Sequence, residues 1–138
     1  MSNRSISLIL PFPVSINAYW ASRVIKVKGR SMATVYVSSE GKQFQKAVAD
    51  AVAEQLKGHE PLEGRLSVTL KFYQPNARVC DISNYVKTTE DAMTRACVWI
   101  DDSQIDRELL IRGPISRDRP RVEVSVSVLR NRERVLFT

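Results

Sequence analysis

Two stretches in which apolar and polar residues alternate strictly constrain the fold of this chain more than any other feature. In the first, Leu66, Val68, Leu70 and Phe72 are separated by Ser67, Thr69 and Lys71. In the second, Val122, Val124, Val126 and Val128 are separated by Glu123, Ser125 and Ser127. Because successive side chains of a β-strand point to opposite faces, each stretch predicts a strand that buries one face in a core.

Further strands are indicated on both sides of these two. A short apolar run at 6–10 is stopped by prolines and predicts a first strand. The segments 23–28 and 34–37, with a turn at 29–31 between them, predict a basic hairpin. The segment Ile105–Arg112 predicts one more strand before the second alternating stretch.

Two segments have the spacing of amphipathic helices. The first is preceded by Ser38 and Ser39, either of which can cap a helix, and is followed by the helix-stopping residue Gly58. The second spans 81–96 and has one apolar side, with Lys87 at its edge. The polar residues predicted on its opposite side are Asp81, Asn84, Thr88, Asp91 and Arg95.

The predicted elements follow the order strand, hairpin, helix, strand, helix, strand, strand. This order indicates an α/β or α+β fold in which two main helices pack on a mixed sheet. At 138 residues, of which 43% are hydrophobic, the chain is predicted to form a single domain spanning 1–138. The charged tail at 130–138 is predicted to be flexible.

The composition indicates a basic protein with a polyanionic partner. A net charge of +6 favours a nucleic acid or an anionic surface. No apolar run approaches membrane-spanning length, and the N-terminal run is too short for a signal peptide. Cys80 and Cys97 lack metal-type spacing and are predicted to be reduced thiols. We therefore expect a soluble cytoplasmic protein with no membrane partner.

An acidic cluster interrupts this basic chain at 80–106. Its aspartates are Asp81, Asp91, Asp101, Asp102 and Asp106. Two unit charges ~4 Å apart repel by about 4 kcal/mol at an effective dielectric of ~20, and a divalent cation removes that cost. Mg²⁺ prefers carboxylate oxygens, and a lysine beside such a site stabilises developing negative charge. The cluster predicts a Mg²⁺ site in which Asp81, Asp101 and Asp102 are candidate ligands.

A structural interpretation of the same residues remains open at this point. Asp91 is spaced to pair with Lys87 or Arg95 along a helix, which is the role that we favour for it. Asp101 and Asp102 are typical of a turn before a strand. Acidic residues on the outer face of a helix are usually only solvated.

The beginning of the chain has the opposite charge. No Asp or Glu precedes Glu40. The basic residues of the predicted hairpin are Arg23, Lys26, Lys28 and Arg30. They predict contacts with phosphates, whose contribution to affinity falls steeply with salt. The alternative is that these charges protect the strand edge from aggregation.

Several segments resemble, in order and spacing, the RusA-type Holliday-junction resolvases. The segments that carry the resemblance are 11–17 (PFPVSIN), 37–41 (VSSEG), 81–87 (DISNYVK), 90–94 (EDAMT) and 99–105 (WIDDSQI). The last three are similar to the family's blocks Asp-x-Asp-Asn-x-x-Lys, Asp-Ala-Leu-Thr and apolar-Asp-Asp-x-Gln-apolar. The resemblance covers nearly the whole chain except the C-terminal tail.

The resemblance implies a small homodimeric endodeoxyribonuclease that depends on Mg²⁺, with Mn²⁺ as a substitute, and cuts four-way DNA junctions. It implies that Asp81 and Asp102 are metal ligands, that Lys87 is catalytic and that Asp101 is an additional candidate ligand. It gives Asn84 and Asp91 supporting roles. The candidate DNA contacts are Asn17, Arg23, Lys26, Lys28, Arg30 and Arg78. No small-molecule cofactor beyond the metal is implied.

This chain departs from the family pattern at Ser83, where the second carboxylate of Asp-x-Asp is expected. A serine hydroxyl can hold a metal-bound water but supplies no charge. The departure supports an alternative function, a dimeric junction-binding protein that has lost efficient cleavage. A third interpretation is a basic protein that binds RNA or another polyanion.

Overall fold

The computed structural model describes residues 4–130. In chain order, its elements are β1 (Ser5–Pro11), α1 (Ile16–Tyr19), β2 (Trp20–Val27), β3 (Arg30–Val37), α2 (Ser39–Gln55), β4 (Leu66–Tyr73), α3 (Val86–Arg95), β5 (Ile105–Arg112) and β6 (Arg121–Val128). Two short 3₁₀ helices, Ile82–Tyr85 and Asp102–Gln104, precede α3 and β5. The predicted tail lies outside the described residues from 131 onward.

A mixed four-stranded sheet, in the order β1-β6-β4-β5, organises the fold. The two alternating stretches form β4 and β6, which pair antiparallel at its centre. Strand β5 pairs parallel with β4, so the chain crosses over between them through α3. Strand β1 pairs antiparallel with the other side of β6. The α+β architecture with two main helices and a mixed sheet is confirmed.

The core lies between one face of this sheet and helices α2 and α3. The alternating residues Leu66, Val68, Leu70 and Phe72 are at most 1% exposed. Phe44, Val48 and Val52 of α2 and Ala92 and Met93 of α3 belong to the same buried cluster. Trp99 is also buried there, and its indole N–H donates to Oγ1 of Thr94 at 2.6 Å. Covering one sheet face with two helices buries the apolar side of every element.

Strands β2 and β3 form a separate two-stranded hairpin. Its turn lies at Lys28 and Gly29, whose φ angles are 52° and 75°. Two consecutive positive φ angles match the right-handed twist of a hairpin, and glycine adopts such an angle without steric cost. The turn therefore begins one residue earlier than the predicted 29–31.

Helix α2 begins where the sequence predicted. The Ser38 hydroxyl accepts a hydrogen bond from the Gly41 N–H at 3.0 Å, which selects Ser38 over Ser39 as the cap. The helix ends at Gln55, before Gly58. None of the described helices is long and apolar enough to cross a membrane.

The predicted helix at 81–96 is divided into the 3₁₀ helix Ile82–Tyr85 and α3. The expected polar side was wrong at Thr88, which is 1% exposed. Its hydroxyl donates to the Val14 carbonyl at 2.8 Å and so holds the loop after β1 against α3. A hydroxyl that finds a backbone acceptor can be buried, which an apolar-polar pattern does not reveal.

Candidate active site

Asp81 lies at the start of the 3₁₀ helix Ile82–Tyr85, after the loop that follows β4. Its backbone is extended and its Oδ1 accepts a hydrogen bond from the Ser83 N–H at 3.1 Å. Hydrogen bonds from Ser83, with a smaller contribution from the charge of Arg112, lower the pKa of the Asp81 carboxyl. Asp81 is therefore an exposed carboxylate held in one orientation.

Lys87 and Asp102 are brought together from α3 and the 3₁₀ helix Asp102–Gln104. Nζ of Lys87 donates to Oδ2 of Asp102 at 3.2 Å. The two side chains are 65% and 30% exposed, so the pair remains open to a ligand from solvent. The Asp102 carboxylate raises the pKa of Lys87, which keeps the ammonium charged.

Asp101 has a local structural role beside this pair. Its Oδ2 accepts the Ser103 N–H at 3.1 Å, and the Gln104 side chain accepts the Asp101 N–H at 2.8 Å. These contacts form a reciprocal capping box. The hydrogen bonds from Ser103 lower the pKa of Asp101. This cap fixes the position of Asp102, the next residue in the chain.

Glu90 is a titratable residue near the pair that the sequence interpretation overlooked. It lies one turn after Lys87 and is only 7% exposed. Burial, followed by a hydrogen bond with the Glu108 carboxyl, raises the pKa of Glu90 to about 9. The charges of Lys87 and Asp102 also act on it. The signal in the sequence was its spacing, three residues beyond Lys87 on the same helix.

Asp91 points away from Lys87 into a network that joins the helices. Its Oδ2 accepts from Nε of Arg95 at 3.1 Å and from the hydroxyl of the buried Tyr19. Gln45 of α2 donates to the same hydroxyl at 2.6 Å. The favoured pairing of Asp91 with Arg95 is confirmed, and the pairing partner is not Lys87.

Three predicted residues share one groove beside Asp81. Asn17, Arg78 and Asn84 line it, together with the aromatic side chains of Phe12 and Tyr85. The rings of Phe12 and Tyr85 pack edge to face with centroids 5.0 Å apart. The groove thus combines amide groups, a guanidinium and aromatic walls, which are the groups that contact single nucleotides.

The basic residues of the hairpin do not share a face. Arg23 and Arg30 fall on one side of the β2–β3 pair, because their positions differ from that of Lys26 by an odd number of residues or a cross-strand register. Lys26 falls on the other side, and Lys28 lies in the turn. The exposed apolar side chains of the hairpin are Trp20, Val24, Val27, Met32, Val35 and Tyr36.

Donor groups for a metal are distributed over this surface. Among residues 4–130, no group of three or more His, Cys, Asp or Glu side chains is arranged to hold a metal ion. Mg²⁺ needs only one or two protein carboxylates and takes its other ligands from water and phosphate. The carboxylates of Asp81 and Asp102 have the chemistry for that ion. Ser83 adds a hydroxyl two residues after Asp81.

Comparison with known sequences gives a consistent set of relatives. The sequence model of a family described as Endodeoxyribonuclease RusA matches residues 11–127. That range contains every candidate site residue named above.

Three curated relatives carry the name crossover junction endodeoxyribonuclease RusA. One from Escherichia coli strain K12 is 26% identical over 125 residues, which cover 91% of this chain and 96% of the relative. One from Enterobacteria phage 82 is 27% identical over 127 residues, with coverage of 90% and 95%. One from Enterobacteria phage HK97 is 30% identical over 105 residues, with coverage of 76% and 80%.

Proposed function

This chain belongs to the RusA family of endodeoxyribonucleases, and from that premise we propose that it cuts four-way (Holliday) DNA junctions in recombination and repair. The relatives bear the name of crossover junction endodeoxyribonucleases. The observation that carries the proposal is the contact of Lys87 with Asp102 at 3.2 Å on an open surface. A cation and an anion placed there suit the hydrolysis of a phosphodiester.

Asp81 and Asp102 would hold Mg²⁺, or Mn²⁺ in its place, with Asp101 and the Ser83 hydroxyl as auxiliary oxygen donors. A bound divalent ion would supply an activated water and a Lewis acid for the leaving 3′ oxygen. The low pKa of Asp81 favours this role because it keeps the carboxylate charged. The cap at Asp101 favours Asp102 as the more available ligand.

Lys87 would neutralise the charge that develops on the phosphate. Its ammonium is charged because Asp102 raises its pKa, and its side chain is 65% exposed. A scissile phosphate that entered between Lys87 and Asp102 would exchange one oxygen partner of the ammonium for another. The lysine would then stabilise the transition state rather than the carboxylate alone.

The groove of Asn17, Arg78 and Asn84 would hold the DNA strand beside Asp81. Arg78 contributes charge to the phosphates, while the two amides contribute hydrogen bonds. The hairpin residues Arg23 and Arg30 would contact a second part of the junction. Lys26 and Lys28 extend that positive surface around the turn.

A four-way junction requires two opposed cuts, and each chain offers one site. A two-fold homodimer supplies two equivalent sites from one sequence. Val24 and Val35 of the hairpin are 71% and 67% exposed. Exposed apolar side chains of this kind are typical of protein interfaces and support a second copy as the partner.

Competition between nucleic acids tests this function. The labelled ligand is a synthetic four-way junction, and the competitors are linear duplex of the same sequences and duplex RNA. Preferential binding of the junction, together with cuts in two opposed strands, is expected. Binding of the junction without cuts in Mg²⁺ or Mn²⁺ would favour the non-catalytic alternative, and equal competition by RNA would favour a general polyanion binder.

A further inference from the structure

Glu90 is buried in a way that the fold does not explain. Its side chain is 7% exposed, and its Oε2 finds no hydrogen-bond partner within residues 4–130. A buried polar atom without a partner costs about 1–3 kcal/mol, and more when it is charged. A neutral side chain of similar size would avoid this cost, so the carboxyl calls for a role outside folding.

The surroundings of Glu90 indicate what that role is. The Glu108 carboxyl lies within hydrogen-bonding reach, and the charges of Lys87 and Asp102 act on Glu90 as well. Three carboxyl groups therefore converge near one ammonium, and that ammonium already contacts Asp102 at 3.2 Å. A single lysine leaves this group of carboxyls with an excess of negative charge, which a divalent cation would balance.

The site is also short of one carboxylate elsewhere. Where the RusA pattern has the second carboxylate of Asp-x-Asp, this chain has Ser83, which is neutral. Ser83 lies in the 3₁₀ helix, and its N–H is committed to Asp81. Glu90 brings a carboxylate to the same lysine and aspartate from the middle of α3.

We propose that Glu90 is a metal-ligating carboxylate of the Asp102–Lys87 site and replaces the carboxylate that Ser83 does not supply. The inference rests on the proposed function, because it assigns a ligand to the divalent cation of that site. The unpartnered Oε2 is the atom that the cation would take. Glu108 then holds the other side of the Glu90 carboxyl.

Binding of Mn²⁺ to the full chain, followed by the electron paramagnetic resonance signal of the free ion, tests the proposal without an activity readout. Glu90→Gln keeps the size of the side chain and removes its charge. Because even partners of metal ligands contribute about 10–100-fold to affinity, Glu90→Gln is expected to weaken Mn²⁺ binding at least about tenfold. Glu63→Gln, at an exposed position, is the matched control and should bind like the wild type.

A second substitution tests the replacement itself. Ser83→Asp in the Glu90→Gln background is expected to recover most of the lost Mn²⁺ affinity, and it should change the wild-type affinity by a smaller factor. An equal gain in both backgrounds would overturn the replacement, since independent sites give additive effects. Melting curves in EDTA establish that each variant is folded.

The two proposals fail in different ways. If the wild type binds no Mn²⁺ and cuts no junction, the proposed function falls and this inference falls with it. If the wild type binds Mn²⁺ and Glu90→Gln binds it as tightly, only the assignment of Glu90 is overturned.

Discussion

Nζ of Lys87 lies 3.2 Å from Oδ2 of Asp102, although the two residues are in different helices. The pair is exposed, and an ion pair of this kind contributes only about 0–1 kcal/mol to folding. Its position is set by α3 on one side and by the capping box of Asp101 on the other. A contact that stabilises the fold so little is available for chemistry.

Substitution of Lys87 is therefore expected to separate activity from stability. Lys87→Met keeps the aliphatic part of the side chain and removes the ammonium. Junction cutting should fall by about 100-fold, as for the loss of one stabilising group in a transition state. The melting temperature should stay close to that of the wild type. Lys46→Met, which removes the exposed Lys46–Asp50 pair, is the control and should retain full cutting.

Asp81→Asn is expected to abolish nicking and to leave junction binding intact. An asparagine Oδ1 can still accept the Ser83 N–H that Asp81 holds at 3.1 Å, so the local cap survives while the charge is lost. Asp81→Ala removes both features and reveals what the cap contributes. Strand cleavage and gel-shift titration of the same junction measure the two effects. A variant that loses binding together with cutting would identify Asp81 as a structural residue.

How much of this arrangement the sequence predicted depends on the kind of signal. Strands β4 and β6 followed from alternation, because a sheet with one buried face imposes a period of two. The cap at Ser38 and the bounds of β5 followed from local chemistry. The pairing of Asp91 with Arg95 followed from helical spacing.

Long-range contacts account for what was not predicted. Thr88 is buried because the Val14 carbonyl accepts its hydroxyl from a distant part of the chain. The buried Tyr19 hydroxyl donates to Asp91, which no local pattern indicates. Glu90 was overlooked because an acidic residue in a helix is ordinarily solvated, and its burial depends on β5, which carries Glu108. The predicted roles of the site residues stay predictions until cleavage and metal binding are measured.

The raised pKa of Glu90 predicts how the metal-free protein responds to pH. The unfolded chain releases this proton near the ordinary value of 4.5, whereas the folded chain retains it up to about 9. The folded state thus binds more protons across that window, and its stability falls as the pH rises, by at most about 1.4 kcal/mol per pH unit from one group. Urea denaturation in EDTA should show this slope in the wild type. Glu90→Gln should lack it, and an identical slope in both proteins would contradict the assignment.

The network around Asp91 is expected to stabilise the fold without taking part in cutting. Tyr19→Phe removes a buried hydroxyl that joins Asp91 to Gln45, and it should lower the free energy of unfolding by about 1–3 kcal/mol. The cutting rate of the folded variant should be unchanged. Tyr36→Phe, at a side chain that is 41% exposed, is the control and should have no effect on stability. Loss of cutting in folded Tyr19→Phe would instead place Asp91 in the site.

The salt dependence of binding tests which hairpin face contacts DNA. If the Arg23 and Arg30 face lies on phosphates, the double variant with alanine at both positions should flatten the plot of log affinity against log salt by about 1.8. Lys26→Ala, on the opposite face, should change the slope far less. A larger effect of Lys26→Ala would assign the DNA to the other face of the hairpin.

Strand-specific cleavage of a synthetic four-way junction tests the central claim most directly. Each of the four strands is labelled in turn and incubated with the protein in Mg²⁺, in Mn²⁺ and in EDTA. We predict nicks at symmetric positions in two opposed strands with either metal, none in EDTA, and none with Asp81→Asn in any condition. Nicks that persist in EDTA or with Asp81→Asn, or an intact junction at protein concentrations that saturate binding in both metals, would contradict the account.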